Sequence, residues 1–402
     1  VDEEHLRTLT RVAHPERRRR RLATLYGPPV WRVFAGARGQ PPEKPMHASR
    51  PSRVSMIENQ SDLRWSRKTN IHHEETNPMT MTPRFLTGLA LCLLTVATAS
   101  EGFAQTQSAT QEYRLSTLPG GRVAVPSFQY GLLVFLHFPD ENSPHFTLID
   151  PAADKVVARI RVSAPEAIET FPVDLAVFPD RQRFVISAAA RHESNRRSLW
   201  LLFCSADGTL TRSVRITPFQ PLRIRVAPDG TVWGFGWNVK TVEDPTSEEP
   251  VLYQFSDSGE VLRKIGSQKD VMAEPNPATG QQHGSPYLAV SADRVAAFGA
   301  GNNTVLEVSL VGKTAKVHRT VMPVEPGGRL ATLSGLAITP AGAIYAGVNG
   351  IRRLDRETGA WAPVTEPEAL AQGRMIFGSF GNQILINGLS GDRFHYRLVT
   401  LK

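Results

Sequence analysis

From Gln105 onward the chain alternates apolar and polar positions in short runs, and the runs form a recurring phrase. An apolar strand is followed by a tight polar turn and a second apolar strand. The phrase reads VDLAVFPDRQRFVIS from Val173 and LRIRVAPDGTVWGFG from Leu222, and returns as PYLAVSADRVAAFGA from Pro286 and SGLAITPAGAIYAGV from Ser334. Short alternating runs bounded by Pro, Asp and Gly are the pattern of β-strands packed in a sheet. In this alignment Asp174, Arg223, Tyr287 and Gly335 share one column, and Leu175, Ile224, Leu288 and Leu336 the next. Pro179, Pro228, Ala292 and Pro340 mark the turn at intervals of 49, 64 and 48 residues. Weaker copies surround Gln129 and Gly381.

Each copy continues into a third strand, a turn and a fourth strand, as in VLYQFS, DSGE and VLRKIG of the copy that begins at Leu222. The Asp-Gly and Ser-Gly pairs supply the positive backbone angles of tight hairpins. Four-stranded units repeating near every 50 residues predict the blades of a propeller. The first copy runs VAVPSFQ, LLVFLHF, FTLID, VVARIRV, and the last, around Gly381, ends after three strands. The missing strand is available in EYRLSTL from Glu112. The expected fold is therefore all-β, a six-bladed β-propeller closed by an N-terminal strand that completes the last blade. Closure of this kind removes the open sheet edge through which β-proteins aggregate.

The segment before the propeller has a different character. MTPRFLTGLALCLLTVATASEGFAQ from Met81 combines a basic Arg84, an apolar run of 15 residues from Phe85 to Ala99, and small residues suited to cleavage after Ala104 or Ala99. That is the anatomy of a secretory signal peptide, and the run is shorter than the roughly 20 residues of a membrane span. The expectation is a secreted or periplasmic protein with no stable membrane span. Residues 1–78 contain RRRRR from Arg17 to Arg21 and no sustained period. They read as a disordered extension, the product of a start assigned too far upstream, with translation from Met79 or Met81. The divisions are thus 1–78, 79–104 for the signal, and 105–402 for the propeller.

Charge follows the same boundaries. The formal net charge is +8, but residues 1–78 alone carry 15 basic and 9 acidic residues, and the chain from Gln105 carries 30 and 28. A nearly neutral propeller lacks the concentrated basic patch of a nucleic-acid binder. Of the two cysteines, Cys92 lies in the signal, and Cys204 sits in the apolar strand SLWLLFCS, where a small buried hydrophobe is expected rather than a nucleophile.

Strand order decides where a site would lie. In an up-and-down blade the second-to-third loops and the blade-to-blade connections share one end. The long segments DENSPH from Asp140, ARHESNRR from Ala190, NVKTVEDPTSEEP from Asn238 and GSQKDVMAEPNPATGQQHGS from Gly266 all belong to that end. Long loops in a compact domain tend to be functional or disordered. The candidate ligand-binding residues on this face are Asp174, Arg223, Arg225, Tyr287, Trp237 and His283. Two arginines near a channel mouth suit a carboxylate or phosphate through bidentate hydrogen bonds, and an Asp174–Arg223 bridge between blades is the structural alternative. Trp233 and Trp237 are also expected to pack between blades. His192, Glu193, His145 and His283 occupy loops of one face, but the histidines show no ligand spacing along the chain.

The repeated strand followed by Pro-Asp-Gly resembles the six-bladed propellers of the NHL-repeat and lactonase-like (YVTN-type) kind over residues 112–402. That resemblance implies the architecture. Its lactonase branch implies a divalent cation held at the channel mouth by Glu, Asn and Asp. Here the corresponding positions are Asp174, Arg223, Tyr287 and Gly335, which supply one oxygen ligand. No metal and no cofactor are therefore expected, and a nucleophile elbow, a phosphate loop and a dinucleotide fingerprint are absent. No catalytic residue is assigned. The leading expectation is a monomeric binding module for a small polar ligand, a glycan or a protein on the loop-rich face. The alternative is a propeller hydrolase or lyase using Asp174 and loop histidines. Intact mass of the protein purified from its native host should correspond to a chain that begins after Ala104 or Ala99, and a mature chain retaining residues 1–78 would overturn that processing scheme.

Overall fold

The computed structural model describes residues 109–116, 122–124, 126–138, 144–193, 195–242, 244, 246–271, 286–299, 303–325, 331–388 and 395–401. The extension, the export segment and His283 lie outside the described residues.

These residues form six antiparallel sheets, each built in chain order from its inner to its outer strand. Strand β1 (Thr110–Arg114) stands apart in sequence and is taken up last. Blade one contains β2 (Arg122–Val123), β3 (Ser127–Gln129), β4 (Leu132–Phe138), β5 (His145–Asp150) and β6 (Lys155–Ile160). Both β2 and β3 pair with β4, so they are two pieces of one inner strand. Pro126 lies between the pieces and has no N–H for the ladder. Blade two is β7 (Glu169–Val177), β8 (Arg183–Arg191), β9 (Arg197–Ser205) and β10 (Leu210–Arg215). Blade three is β11 (Phe219–Val226), β12 (Val232–Asn238), β13 (Pro250–Phe255) and β14 (Val261–Ser267), followed by the one-turn helix α1 (Gln268–Val271). Blade four is β15 (Tyr287–Val290), β16 (Arg294–Gly299), β17 (Thr304–Ser309) and β18 (Ala315–Arg319). Blade five is β19 (Leu336–Ile338), β20 (Ile344–Gly347), β21 (Ile351–Leu354) and β22 (Trp361–Pro363), with α2 (Glu368–Ala371) after it. Blade six is β23 (Ile376–Phe380), β24 (Gln383–Asn387) and β25 (His395–Thr400).

Burial falls from the middle of each blade to its rim. Every residue of β12 is buried, whereas the outer strands β6 and β18 expose most of theirs. The middle strands are covered by neighbouring blades on both faces, which explains their almost continuous apolar runs. Trp233, Phe235 and Trp237 of blade three share one apolar cluster with Leu288, Val295, Ala297 and Leu306 of blade four, as expected for inter-blade packing. Cys204 is buried among the apolar residues of blades one and two, and burial pushes its thiol up to about 12. It is a packed hydrophobe.

The ring closes at its termini. β1 pairs antiparallel with β25, from Thr110 opposite Val399 to Arg114 opposite His395. Glu112 accepts from His395 Nε2 at 3.1 Å and pairs with Arg397 at 3.3 Å. Tyr113 and Leu115 are buried against Leu385, Tyr396 and Leu398 of blade six and Phe128, Phe135 and Ile149 of blade one. One short strand thus fastens the last blade to the first. Replacing Tyr113 with Ala should cost about 3 kcal/mol, the usual penalty for emptying a buried aromatic site. Glu112→Gln, where the carboxylate is half exposed, should cost less, about 1 kcal/mol. Urea unfolding of both variants checks the ranking, and equal effects would show that the strand is held by charge rather than packing.

Candidate functional site

The inner strands follow one another around the axis in the order β7, β11, β15, β19, β23, β3. Each is an edge strand, so one row of its backbone groups lacks a ladder partner. Side chains of adjacent blades satisfy them. Gln129 of blade one donates from Nε2 to Leu175 O at 2.8 Å and accepts from Val177 N at 3.1 Å. Asp174 of blade two accepts from Ile224 N at 2.9 Å, and Arg223 of blade three donates to Pro286 O at 3.1 Å. Tyr287 of blade four donates to Leu333 O at 3.0 Å. Between blades five and six Ser379 donates to Ile338 O at 3.2 Å and accepts from Ile338 N at 3.3 Å, and the backbones also approach closely. A Cβ on Gly335, whose φ is +135°, would stand 1.8 Å from Ile376 O. Gly378, at φ +148°, would likewise place a Cβ 2.4 Å from Phe128 O in blade one. The column of the sequence repeat is therefore the column of inter-blade ties.

Local backbone geometry aims these residues. β-Bulges interrupt the inner strands between Pro172 and Asp174 and between Pro221 and Arg223. A bulge rotates the following side chain, and each proline lacks the N–H the ladder would have used. Asp174 does not bridge to Arg223, the partner considered from the sequence. Its Oδ2 instead accepts from Arg225 Nη1 at 3.0 Å, with both side chains mostly buried. Arg225 Nη1 also donates to Ile224 O at 2.5 Å, and Arg223 Nη1 to Leu222 O at 3.2 Å. Burial lowers the Arg225 pKa, Asp174 opposes that, and the neighbouring Arg223 adds to it. Among the described residues no further hydrogen bond uses Arg223 Nη2 or the Nε and Nη2 of Arg225.

Tyr130 links three blades at the hairpin end of the channel. Tyr130, in the β3–β4 turn, reaches past blade two and donates its hydroxyl to Val226 O of blade three at 2.9 Å. Its ring lies 5.1 Å from that of Phe380 in the corresponding turn of blade six. Burial, and then Asp229, raise the Tyr130 pKa, so the phenol stays protonated as a donor. The opposite, loop-rich end carries the insertion of blade three.

At that end Trp237 is largely buried, opposite Gln220 near the end of β12. The blade-three insertion after Asn238 is folded onto α1. Gln268 Nε2 donates to Thr241 O at 2.7 Å and Asp244 O at 2.8 Å, and Lys269 N donates to Ser247 O. Thr304 Oγ1 of blade four donates to Val271 O at 2.9 Å, which seats α1 over the next blade. The segment from Ala190 is shorter than expected, because β8 and β9 run to nine residues each and only 192–196 connects them. His192 binds Glu166 O at 2.9 Å and Ser198 Oγ at 2.6 Å. His145 stacks on His137 at 5.2 Å, and burial followed by the charges of His145 and Arg159 lowers the His137 pKa to about 4. Among the described residues no three His, Cys, Asp or Glu side chains converge on a possible metal position. With Asp174 capped by Arg225, the channel-mouth residues do not fit the divalent cation of the lactonase-like family.

One charged cluster was missed by the sequence reading. Glu307, in the apolar strand β17, is almost fully buried and accepts from Arg294 Nη1 at 2.7 Å and His318 Nε2 at 3.0 Å. Arg356 of blade five clasps both its oxygens at 2.8 Å and also donates to Gly342 O. The available signal was a lone acidic residue inside the otherwise uncharged run TVLEVSL. Burial alone would raise the Glu307 pKa, but the hydrogen bonds from His318, Arg356 and Arg294 outweigh it and bring the value to about 2. A depressed carboxylate pKa adds stability that is present above the ordinary value of 4.5 and is lost as pH falls toward 2. The wild type should therefore lose about 3 kcal/mol more than Glu307→Gln between roughly pH 6 and pH 2. Denaturant titrations across that range check this, and parallel acid limbs would refute it.

No protein-family model matches the chain, and no curated protein matches it. Similar folds occur among solved structures. A luciferin-regenerating enzyme is 13% identical, with 73% of this chain and 96% of that chain covered and a TM-score of 0.42. A catalytically inactive virginiamycin B lyase from Staphylococcus aureus, solved with quinupristin, is 12% identical over 74% of this chain and 100% of that one, at 0.38. The Cps50 (Swd1) β-propeller domain of Myceliophteria thermophila is 10% identical over 73% and 100%, at 0.35.

Proposed function

We propose that this chain is an exported binding module that takes a small anionic ligand, a carboxylate or a phosphate, on the inner wall of its channel. The observation that carries the reading is the charge balance on the channel wall. Two guanidinium groups, Arg223 and Arg225, face a single carboxylate, Asp174, and retain N–H donors beyond those that tie the blades. Surplus positive charge in a partly desolvated cleft attracts an anion, and the planar guanidinium offers it paired donors. Tyr287, next to the Pro286 carbonyl that Arg223 binds, would face the uncharged part of the ligand. Export rests on Arg84, the apolar run from Phe85 to Ala99 and the small residues before Gln105.

Calorimetric titration with citrate, glucuronate and glucose tests the reading. The two anions should bind and neutral glucose should not, with Arg223→Gln weakening the anions by about tenfold, or about 1.4 kcal/mol. A thermal melt of the variant shows that its fold is retained. Equal binding of glucose, or anion affinity unchanged in Arg223→Gln, would overturn the proposal.

A further inference from the structure

The Glu307 cluster lines a polar cleft of about 510 Å³ between blades four and five, away from the channel mouth. Its walls comprise Arg294, Ser309, Thr314, Lys316, His318 and Arg356 around Glu307. The strand register explains why they meet. Lys316 stands directly opposite Glu307 on β18, with His318 two residues along on the same face, and Arg294 stands opposite Ser309 on β16. Arg356 enters from the β21–β22 turn of the next blade.

A clamp between two blades needs one cation for one carboxylate, and this cleft holds three. Arg294, Lys316 and Arg356 oppose Glu307 alone, and the depressed pKa of Glu307 keeps that count fixed through neutral pH. Arg294 and Arg356 are each about one-third exposed while the carboxylate they hold is buried. The guanidinium groups are thus oriented from behind by Glu307, with their remaining donors toward the cleft. Lys316 makes none of the described hydrogen bonds or ion pairs, and Thr314 and Ser309 add hydroxyl groups at the rim. We infer that this cleft is a second ligand site, one that binds a small dianionic oxyanion such as phosphate, free or as a phosphomonoester. Arg294 and Arg356 supply oriented donors and Lys316 a mobile point charge, a combination suited to a tetrahedral anion. Glu307 acts as the positioning residue for both guanidinium groups.

The probes are inorganic phosphate, glucose 6-phosphate and glucose, titrated calorimetrically into the full protein in a chloride buffer. Phosphate should bind with a dissociation constant of about 1 mM or tighter, with Lys316→Gln weakening it about fivefold or more. Lys316 is exposed, so this variant leaves the clamp in place. Arg294→Gln should weaken phosphate further. Arg223→Gln removes only phosphate held on the channel wall and should leave the Lys316-dependent binding in place, so the two sites are told apart. Tighter binding of glucose 6-phosphate than of phosphate would identify a phosphomonoester as the ligand, and the reverse a free phosphate. Absence of binding at about 20 mM phosphate, or loss of binding in Arg223→Gln with retention in Lys316→Gln, would overturn the inference.

Discussion

The structure depends on how six edge strands are tied together around an axis. An inner strand presents one row of backbone N–H and C=O groups to the channel, and an unpaired buried group costs about as much as a lost hydrogen bond. The protein meets that requirement blade by blade with one residue reaching forward: Gln129, Asp174, Arg223 and Tyr287 in the first four blades. In the last two it places Gly335 and Gly378 where the neighbouring backbone comes too close for any side chain. The pairing of β1 with β25 then completes the circle at the outer rim. Inner ties and outer closure act on the same object, since neither half of an open ring has a partner for its last blade.

The architecture was readable because it is repetitive. Four copies of one phrase in phase leave little freedom for the blade count, and the three-stranded last copy requires a strand from the other end of the chain. Boundaries were less readable. β1 begins at Thr110 rather than Glu112, and the segment at Ala190 is mostly strand, because strand ends are settled by pairing partners distant in sequence. The column of Asp174, Arg223, Tyr287 and Gly335 was recognised as special without its reason being visible. Which residue each side chain touches depends on bulges at Val173 and Leu222 and on a neighbour some fifty positions away. Hence the sequence offered Arg223 as the partner of Asp174, and the bulged strands deliver Arg225. Glu307 was missed for a related reason. A lone acid in an apolar strand has no local cue for its partners, and these come from two other strands and a turn of the next blade.

Glycine at the head of an inner strand illustrates how one column can hold unlike residues. Asp, Arg and Tyr reach across a gap, whereas Gly closes the gap itself. For a metal-binding propeller the column would have to offer oxygen ligands converging on the axis. Here its members point along the ring, each committed to the next blade, and that is why the family's cation chemistry does not carry over to these residues.

Global charge concealed the local arrangement. From Gln105 onward basic and acidic residues nearly cancel, which argues correctly against nucleic acid but says nothing about where the charges lie. On the channel wall Arg225 pairs with Asp174 while Arg223 is tied to backbone carbonyls, and between blades four and five three cations surround another carboxylate. Between blades four and five the carboxylate is the more buried member and the guanidinium groups extend outward from it, whereas Arg225 is buried together with Asp174. A buried acid of this kind is stabilised only with its partners in place, so removing one leaves an uncompensated charge. The same arrangement that locks neighbouring blades together therefore leaves oriented positive charge at the surface. Structural clamp and anion site are two consequences of a single design, and the exposed Lys316, which clamps nothing, is the residue that separates them.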